Sequence, residues 1–222
     1  MVAFGPGEKS NSDIAPVAVL LMRHARHVGI LHVRSDLNPV FLHLAGHNAL
    51  KSEPMPDNFD FLVELNVPIE RAVNVAAFCR LIWARNRQGQ VPYGMTTFEG
   101  YFRADATAVG DPGHVGLTCA TFILAAFKAF GVHLINAETW PKRESDGPWR
   151  LNIIYLLEEG AITGGVPSKE HLEAVRNSNM DFRIKPVEVA AAAGIAQPPA
   201  DFSAIREQVE ILLSRFKIPE PF

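Results

Sequence analysis

Only two cysteines occur among the 222 residues, and they are not paired in a Cys-x-x-Cys unit. A disulfide framework and a cysteine-rich zinc knuckle are therefore excluded, and a reducing compartment is the expected home. The chain has no His-Glu-x-x-His helix and no Gly-x-Ser-x-Gly elbow, which removes the zincin and serine-hydrolase readings. Gly110-Asp111-Pro112-Gly113-His114 lacks the spacing of a phosphate loop and reads as a turn. Basic excess is missing as well. A net charge of −3 and a pI near 6.2 leave no electrostatic footprint for nucleic acid or an anionic membrane. The early apolar stretch, Ile14 to Met22, is short and interrupted by Pro16, so it reads as a strand. Neither a signal peptide nor a membrane span is expected, which points to the cytoplasm, with export by a non-Sec route left open.

What remains is an ordinary globular composition, 48% hydrophobic and 20% charged, with enough chain for one sizeable domain and an appended segment. Its most informative residue is Cys119, in Gly116-Leu117-Thr118-Cys119-Ala120-Thr121-Phe122. Thr118 suits an N-cap and Gly131 a C′ position, so a helix is expected to start at Cys119. A thiol there meets the positive end of a helix dipole and unpartnered backbone N–H groups. That setting is expected to depress its pKa towards roughly 3.5–7.5 and expose a thiolate nucleophile.

A base is available upstream. His27 to Val33 and Pro39 to Ala45 are apolar, β-rich runs separated by the turn-like Arg34-Ser35-Asp36-Leu37-Asn38. If those five residues form the loop of an antiparallel hairpin, Val33 faces Pro39 and His27 lies opposite Ala45. His43 is then the diagonal neighbour of His27, about 7–8 Å away at Cα. One imidazole can orient the other, and a nucleophile, a base and an orienter are the parts of a generalised triad. The orienter depends on register, and His47 or Asn48 would replace His43 after a slip.

His27-Val28-Gly29-Ile30, followed one strand later by Phe41-Leu42-His43-Leu44-Ala45, resembles the histidine half of the NlpC-like cysteine peptidases. In the ordinary family the cysteine precedes the histidine. Here it follows by 119 − 27 = 92 positions, an order similar to the circularly permuted, papain-like branch. That branch includes bacterial hydrolases, lecithin retinol acyltransferase-type enzymes and deSUMOylating or deubiquitinating enzymes. The resemblance covers roughly residues 16–130. It implies an α+β, papain-like fold with an antiparallel sheet packed on the cysteine-bearing helix. It also implies Cys119 as nucleophile, His27 as general base and His43 as third polar residue. Val91-Pro92-Tyr93-Gly94 is similar to a Pro-Tyr segment of permuted members and adds Tyr93 to the site. Permuted bacterial members usually carry Ser-Glu-Leu after the cysteine, whereas Ala120-Thr121-Phe122 follows here, a departure that bears on substrate class.

The expected activity is a cysteine hydrolase, peptidase- or amidase-like, that forms an acyl-enzyme on an amide or ester, cell-wall peptides among the candidates. The backbone at Thr118–Cys119 and Tyr93 would hold the oxyanion. No cofactor is expected, and the oligomeric state is left open. Two other readings stand beside it. A non-catalytic binding module could keep the scaffold, or the activity could be lipid acyl transfer or thioester cleavage of the lecithin retinol acyltransferase type. The cluster His24, His27, His32, His43 and His47 also invites zinc, but no spacing completes a site.

Residues 1–13, rich in Gly and Ser, read as a loose N-terminus, 14–160 as the hydrolase domain and 161–222 as a C-terminal extension. Phe59–Leu65 reads as a further strand and Pro68 as the opening of a helix in which Cys79 is a small buried hydrophobe. Residues 88–116 read as a long loop forming a site wall. His133–Ile135 reads as a strand, and Leu151–Leu157 as a strand or a helix. Asp201–Lys217 reads as an amphipathic helix with Ile205, Val209, Leu212, Leu213 and Phe216 on one stripe.

Overall fold

The computed structural model describes residues 1–33, 38–89, 91–96, 98–109, 115–162, 164–178 and 182–219. The fold is α+β, with a six-stranded antiparallel sheet and, among the described residues, six α-helices. The strands are β1 (Ala3–Phe4), β2 (Val17–Met22), β3 (His27–Val33), β4 (Pro39–Leu44), β5 (Leu50–Pro54) and β6 (Phe61–Glu64). They lie in the order β1-β6-β2-β3-β4-β5. The helices are α1 (Ile69–Asn86), α2 (Cys119–Ala129), α3 (Asp146–Glu158), α4 (Lys169–Arg176), α5 (Pro186–Ala193) and α6 (Phe202–Phe216).

The three central strands, β2, β3 and β4, are buried along almost their whole length because both faces of the sheet are covered. On one face Val17, Val19, Leu21, Val28, Ile30, Leu42 and Leu44 join the large core built with α1, α2 and α5. On the other, Ala18, Leu20, Leu31, Phe41 and Leu62 form a smaller cluster with Ile14, closed by Phe4, Met22, Met55 and Phe59. Period-two alternation assigns each side chain to its face.

The β3–β4 register is the expected one, with Val33 opposite Pro39 and Ile30 opposite Leu42. The ladder opens beyond Ile30–Leu42, leaving His27, Val28 and Gly29 out of the backbone pairing with β4. On the other side of β3, Met22 pairs with His27 across a tight turn in which Arg23, His24 and Ala25 have φ of 61°, 54° and 61°. Left-handed backbone of this kind costs roughly 1–2 kcal/mol per non-glycine residue. Asp60 offsets it in part: its carboxylate accepts the Ala25 N–H at 2.8 Å, while its own N–H donates to the Leu21 carbonyl. This turn delivers His27 to the end of β3.

Several expectations are corrected. The N-terminal stretch is not wholly loose, since Ala3 and Phe4 extend the sheet by pairing with Val63 and Leu62. His133–Ile135 is no strand and makes only an isolated bridge from Ile135 to Ala200; of the two readings of Leu151–Leu157 the helical one holds, inside α3. α5, part of the expected C-terminal extension, is buried throughout and packs on β2 and α2 within the main core. Alanines make this possible, because small side chains let a helix approach the sheet closely. The turn-like Arg34–Leu37 and the Gly110–His114 segment lie outside the described residues.

Candidate active site

Helix α2 begins where the sequence places it. Thr118 is extended at the N-cap, and its hydroxyl accepts the Thr121 N–H at 3.1 Å while the Thr118 N–H donates to Thr121 Oγ1 at 2.8 Å. This reciprocal cap engages the N–H and the hydroxyl oxygen of Thr118 and fixes the start of α2. Nine successive residues, Cys119 to Phe127, are buried, which makes α2 the central helix under the sheet.

The backbone N–H groups of Val28, Ala120 and Cys119 itself, together with the Arg183 charge, pull the Cys119 thiol down. The Val28 amide belongs to the stretch of β3 that β4 leaves unpaired. Sulfur therefore meets the strand through its backbone, one residue from His27. Alternation sends Val28 towards α2 and sends His27 to the other face, with Gly29, Phe41 and His43. A Cβ on Gly29 would stand 2.5 Å from Phe41 Cε2 and 2.7 Å from His43 Cβ, so only glycine lets these rings approach the strand.

The two expected histidines meet. His27 Nε2 and His43 Nδ1 are 2.7 Å apart, and His43 Nε2 lies 3.3 Å from the Glu53 carboxylate on β5. A carboxylate only accepts, so His43 carries its proton on Nε2 and presents a bare Nδ1. His27 then donates from Nε2 and keeps its lone pair on Nδ1, the arrangement a general base requires. These tautomers follow from the hydrogen-bond pattern. The His47 ring packs against His171 on α4, with centroids 4.6 Å apart.

The electrostatics depart from expectation. Burial pushes the Cys119 thiol up, against the pull of the three amides and Arg183. Burial, with His43 and Arg23 adding to it, holds His27 down to about 3. His43 is lowered by burial too, with Glu53 opposing. The resting pair is thus a neutral thiol and a neutral imidazole, where a depressed thiolate was anticipated. The reason is quantitative: a dipole acting over one helical turn is worth about 0.3–2 kcal/mol, less than full desolvation of a thiolate.

Tyr93 is brought to Cys119 by a backbone clamp. Tyr93 bridges Leu117 in parallel, Gly94 N–H donates to the Leu117 carbonyl, and Leu117 N–H donates to the Pro92 carbonyl. Gly116, at φ 103°, passes so close that a Cβ would stand 2.4 Å from the Pro92 oxygen. His171 Nε2 donates to the Tyr93 carbonyl at 2.9 Å and ties α4 to this wall. Burial and the nearby Cys119 both raise the Tyr93 phenol, which stays protonated as a donor. Tyr93, Thr118 and Cys119 line a cavity of about 430 Å³ together with Arg26, Trp149, Asn152 and Arg183. Arg183, Trp149, Asn152 and Glu53 were not legible in the sequence. Glu53 alone carried a signal, as the residue two beyond Lys51 on a strand beside His43.

Among the described residues no group of three or more His, Cys, Asp or Glu side chains is arranged to hold a metal ion, and no helix is long and apolar enough to cross a membrane. No family model, curated protein or solved structure matches the chain.

Proposed function

We propose that the protein is a cysteine hydrolase of the amidase or peptidase type, built like the circularly permuted NlpC-like enzymes its motifs resemble. The observation that carries this reading is Cys119 as the first residue of α2, lining a cavity with Tyr93, in a molecule where His43 and Glu53 set the tautomer of His27 at the end of β3. For His27 Nδ1 to take the thiol proton as Sγ attacks the carbonyl carbon, the end of β3 that β4 leaves unpaired must turn His27 from the other face of the sheet towards sulfur. The oxyanion is held by a backbone N–H of the α2 terminus and the Tyr93 hydroxyl. His27 returns the proton to the leaving amine or alcohol, leaving a thioester. It then takes a proton from water, which releases the acid and restores the thiol.

Because both partners rest neutral, proton transfer accompanies attack, and kcat/KM should be flat across neutral pH. An acceptor alcohol or amine in place of water would give acyl transfer of the lecithin retinol acyltransferase type by the same steps. A second reading, a non-catalytic module on this scaffold, is favoured by one observation: burial keeps the thiol protonated. The deciding experiment is thiol-reactive, activity-based labelling mapped by mass spectrometry, followed by hydrolysis of cell-wall peptides and acyl esters. Labelling at Cys119 that vanishes in His27→Ala supports the hydrolase. Cys119 and Cys79 labelling equally slowly would overturn it.

A further inference from the structure

We propose that the protein forms a reversible homodimer in which the exposed ridge of α1 packs antiparallel against the same ridge of a second copy, about a two-fold axis at Ala77. The inference does not depend on the chemistry at Cys119.

Ile69, Val73 and Leu81 are 58%, 50% and 46% exposed. With the half-buried Ala77 between Val73 and Leu81, they follow one another at four-residue spacing and make a continuous ridge along α1. Apolar side chains scattered singly over a surface are ordinary, whereas a contiguous row is a contact face. The opposite side of α1, with Val75, Cys79 and Ile82, is already packed into the core. Ridges of this spacing interdigitate with one another, and a small residue at the crossing lets two helices approach to about 8–10 Å. Ala77 is that residue, with Val73 four positions before it and Leu81 four after. A two-fold axis at Ala77 sets Val73 against Leu81 of the second copy, while Ala77 meets itself.

The charges fix the partner and its direction. Glu70 lies in the first turn of α1 and Arg85 in the last. Antiparallel pairing brings the Glu70 end of each copy to the Arg85 end of the other and opposes the helix dipoles, whereas parallel pairing sets like charge against like. Arg71, beside Glu70, is engaged elsewhere and donates to the Gly131 carbonyl at 2.6 Å. Arg80 reaches the Val33 carbonyl at 3.4 Å, a neutral acceptor that leaves its charge in place. Arg85 stands 3.4 Å from Asp105, an exposed pair of low value that Glu70 of the second copy can join or replace. A single helix pair buries less than the roughly 1,200 Å² of a stable complex, so the association is weak and concentration-dependent.

Sedimentation velocity at increasing concentration tests the dimer. The weight-average mass should climb from 24.4 kDa towards twice that value between about 1 µM and 1 mM, the range of a weak interface. Val73→Glu and Leu81→Glu, both at exposed positions, should hold the mass at that of a single chain with circular dichroism unchanged. Cross-linking tests the axis. Only a residue on a two-fold axis meets its own copy, so Ala77→Cys should oxidise to a disulfide-linked dimer at least about tenfold faster than Val73→Cys or Leu81→Cys alone. A mixture of the Val73→Cys and Leu81→Cys proteins should cross-link to each other, and mass spectrometry separates these bridges from any at the buried Cys79 and Cys119. A mass that stays at 24.4 kDa over the whole range overturns the dimer. Association that survives Leu81→Glu, or equal cross-linking rates at the three positions, overturns the α1 ridge as its interface.

Discussion

The two cysteines are both buried on helices of the same core, yet they inhabit different chemistry. Cys79 lies within α1, where burial pushes its thiol up to about 12. Cys119 is the first residue of its helix, takes an amide from a neighbouring strand, feels Arg183 and borders a cavity of about 430 Å³. Burial raises both thiols and an arginine opposes it at each, Arg80 at Cys79 and Arg183 at Cys119, but Cys119 alone of the two stands at a helix start beside a cavity. Helical position, more than burial, separates a packing sulfur from one that can meet a carbonyl.

The sharpest break in that comparison is loss of the sulfur itself. Cys119→Ala should lower turnover of a hydrolysed amide or ester by at least about 10⁴-fold, with circular dichroism unchanged. Cys79→Ala should leave kcat intact. Equal activity of the two variants would erase the distinction. Next in size is the imidazole chain. His43→Ala frees His27 to adopt the wrong tautomer and should reduce kcat about 100-fold, a general-base effect. Glu53 is half exposed, and Glu53→Gln should cost within roughly tenfold.

Acid should act on stability through the same residues. The unfolded chain takes up protons near pH 6.5, while folded His27 resists until about 3, and His43 and His47 are lowered in the same direction. Stability contributed by neutral His27 is therefore present above 6.5 and lost as pH falls through that window. The loss is on the order of a few kcal/mol, at about 1.4 kcal/mol per unit. Urea melts at several pH values should reveal it, and a His27→Gln variant that kept the full dependence would refute the cause. Gly29→Ala, forced against Phe41 and His43, should destabilise by about 1–3 kcal/mol and lower kcat with it. Smallest is Cys79→Ala, about 1 kcal/mol of lost packing with no functional change.

Legibility divided along the same line. The hairpin register could be read because a five-residue turn between two apolar runs leaves one pairing that puts Val33 opposite Pro39. The start of α2 was readable from Thr118, whose side chain has a local partner in Thr121. The amphipathic stripe of α6 was readable from spacing, and Ile205 and Leu212 are indeed buried. His133–Ile135 was misread because β propensity in a short run measures fit to a sheet that, there, is absent. Arg183 and Trp149 could not be found, since nothing local ties them to a cysteine far earlier in the chain.

The chain by itself determined which residues begin elements and which lie opposite one another, because caps, turns and two-residue alternation act over a few neighbouring positions. Only tertiary structure decided that sulfur 119 rests protonated, that β4 parts from β3 to offer the Val28 amide, and that two guanidiniums wall the cavity. Desolvation and Coulomb forces depend on what distant segments bring within a few ångströms, and a local pattern carries no record of that.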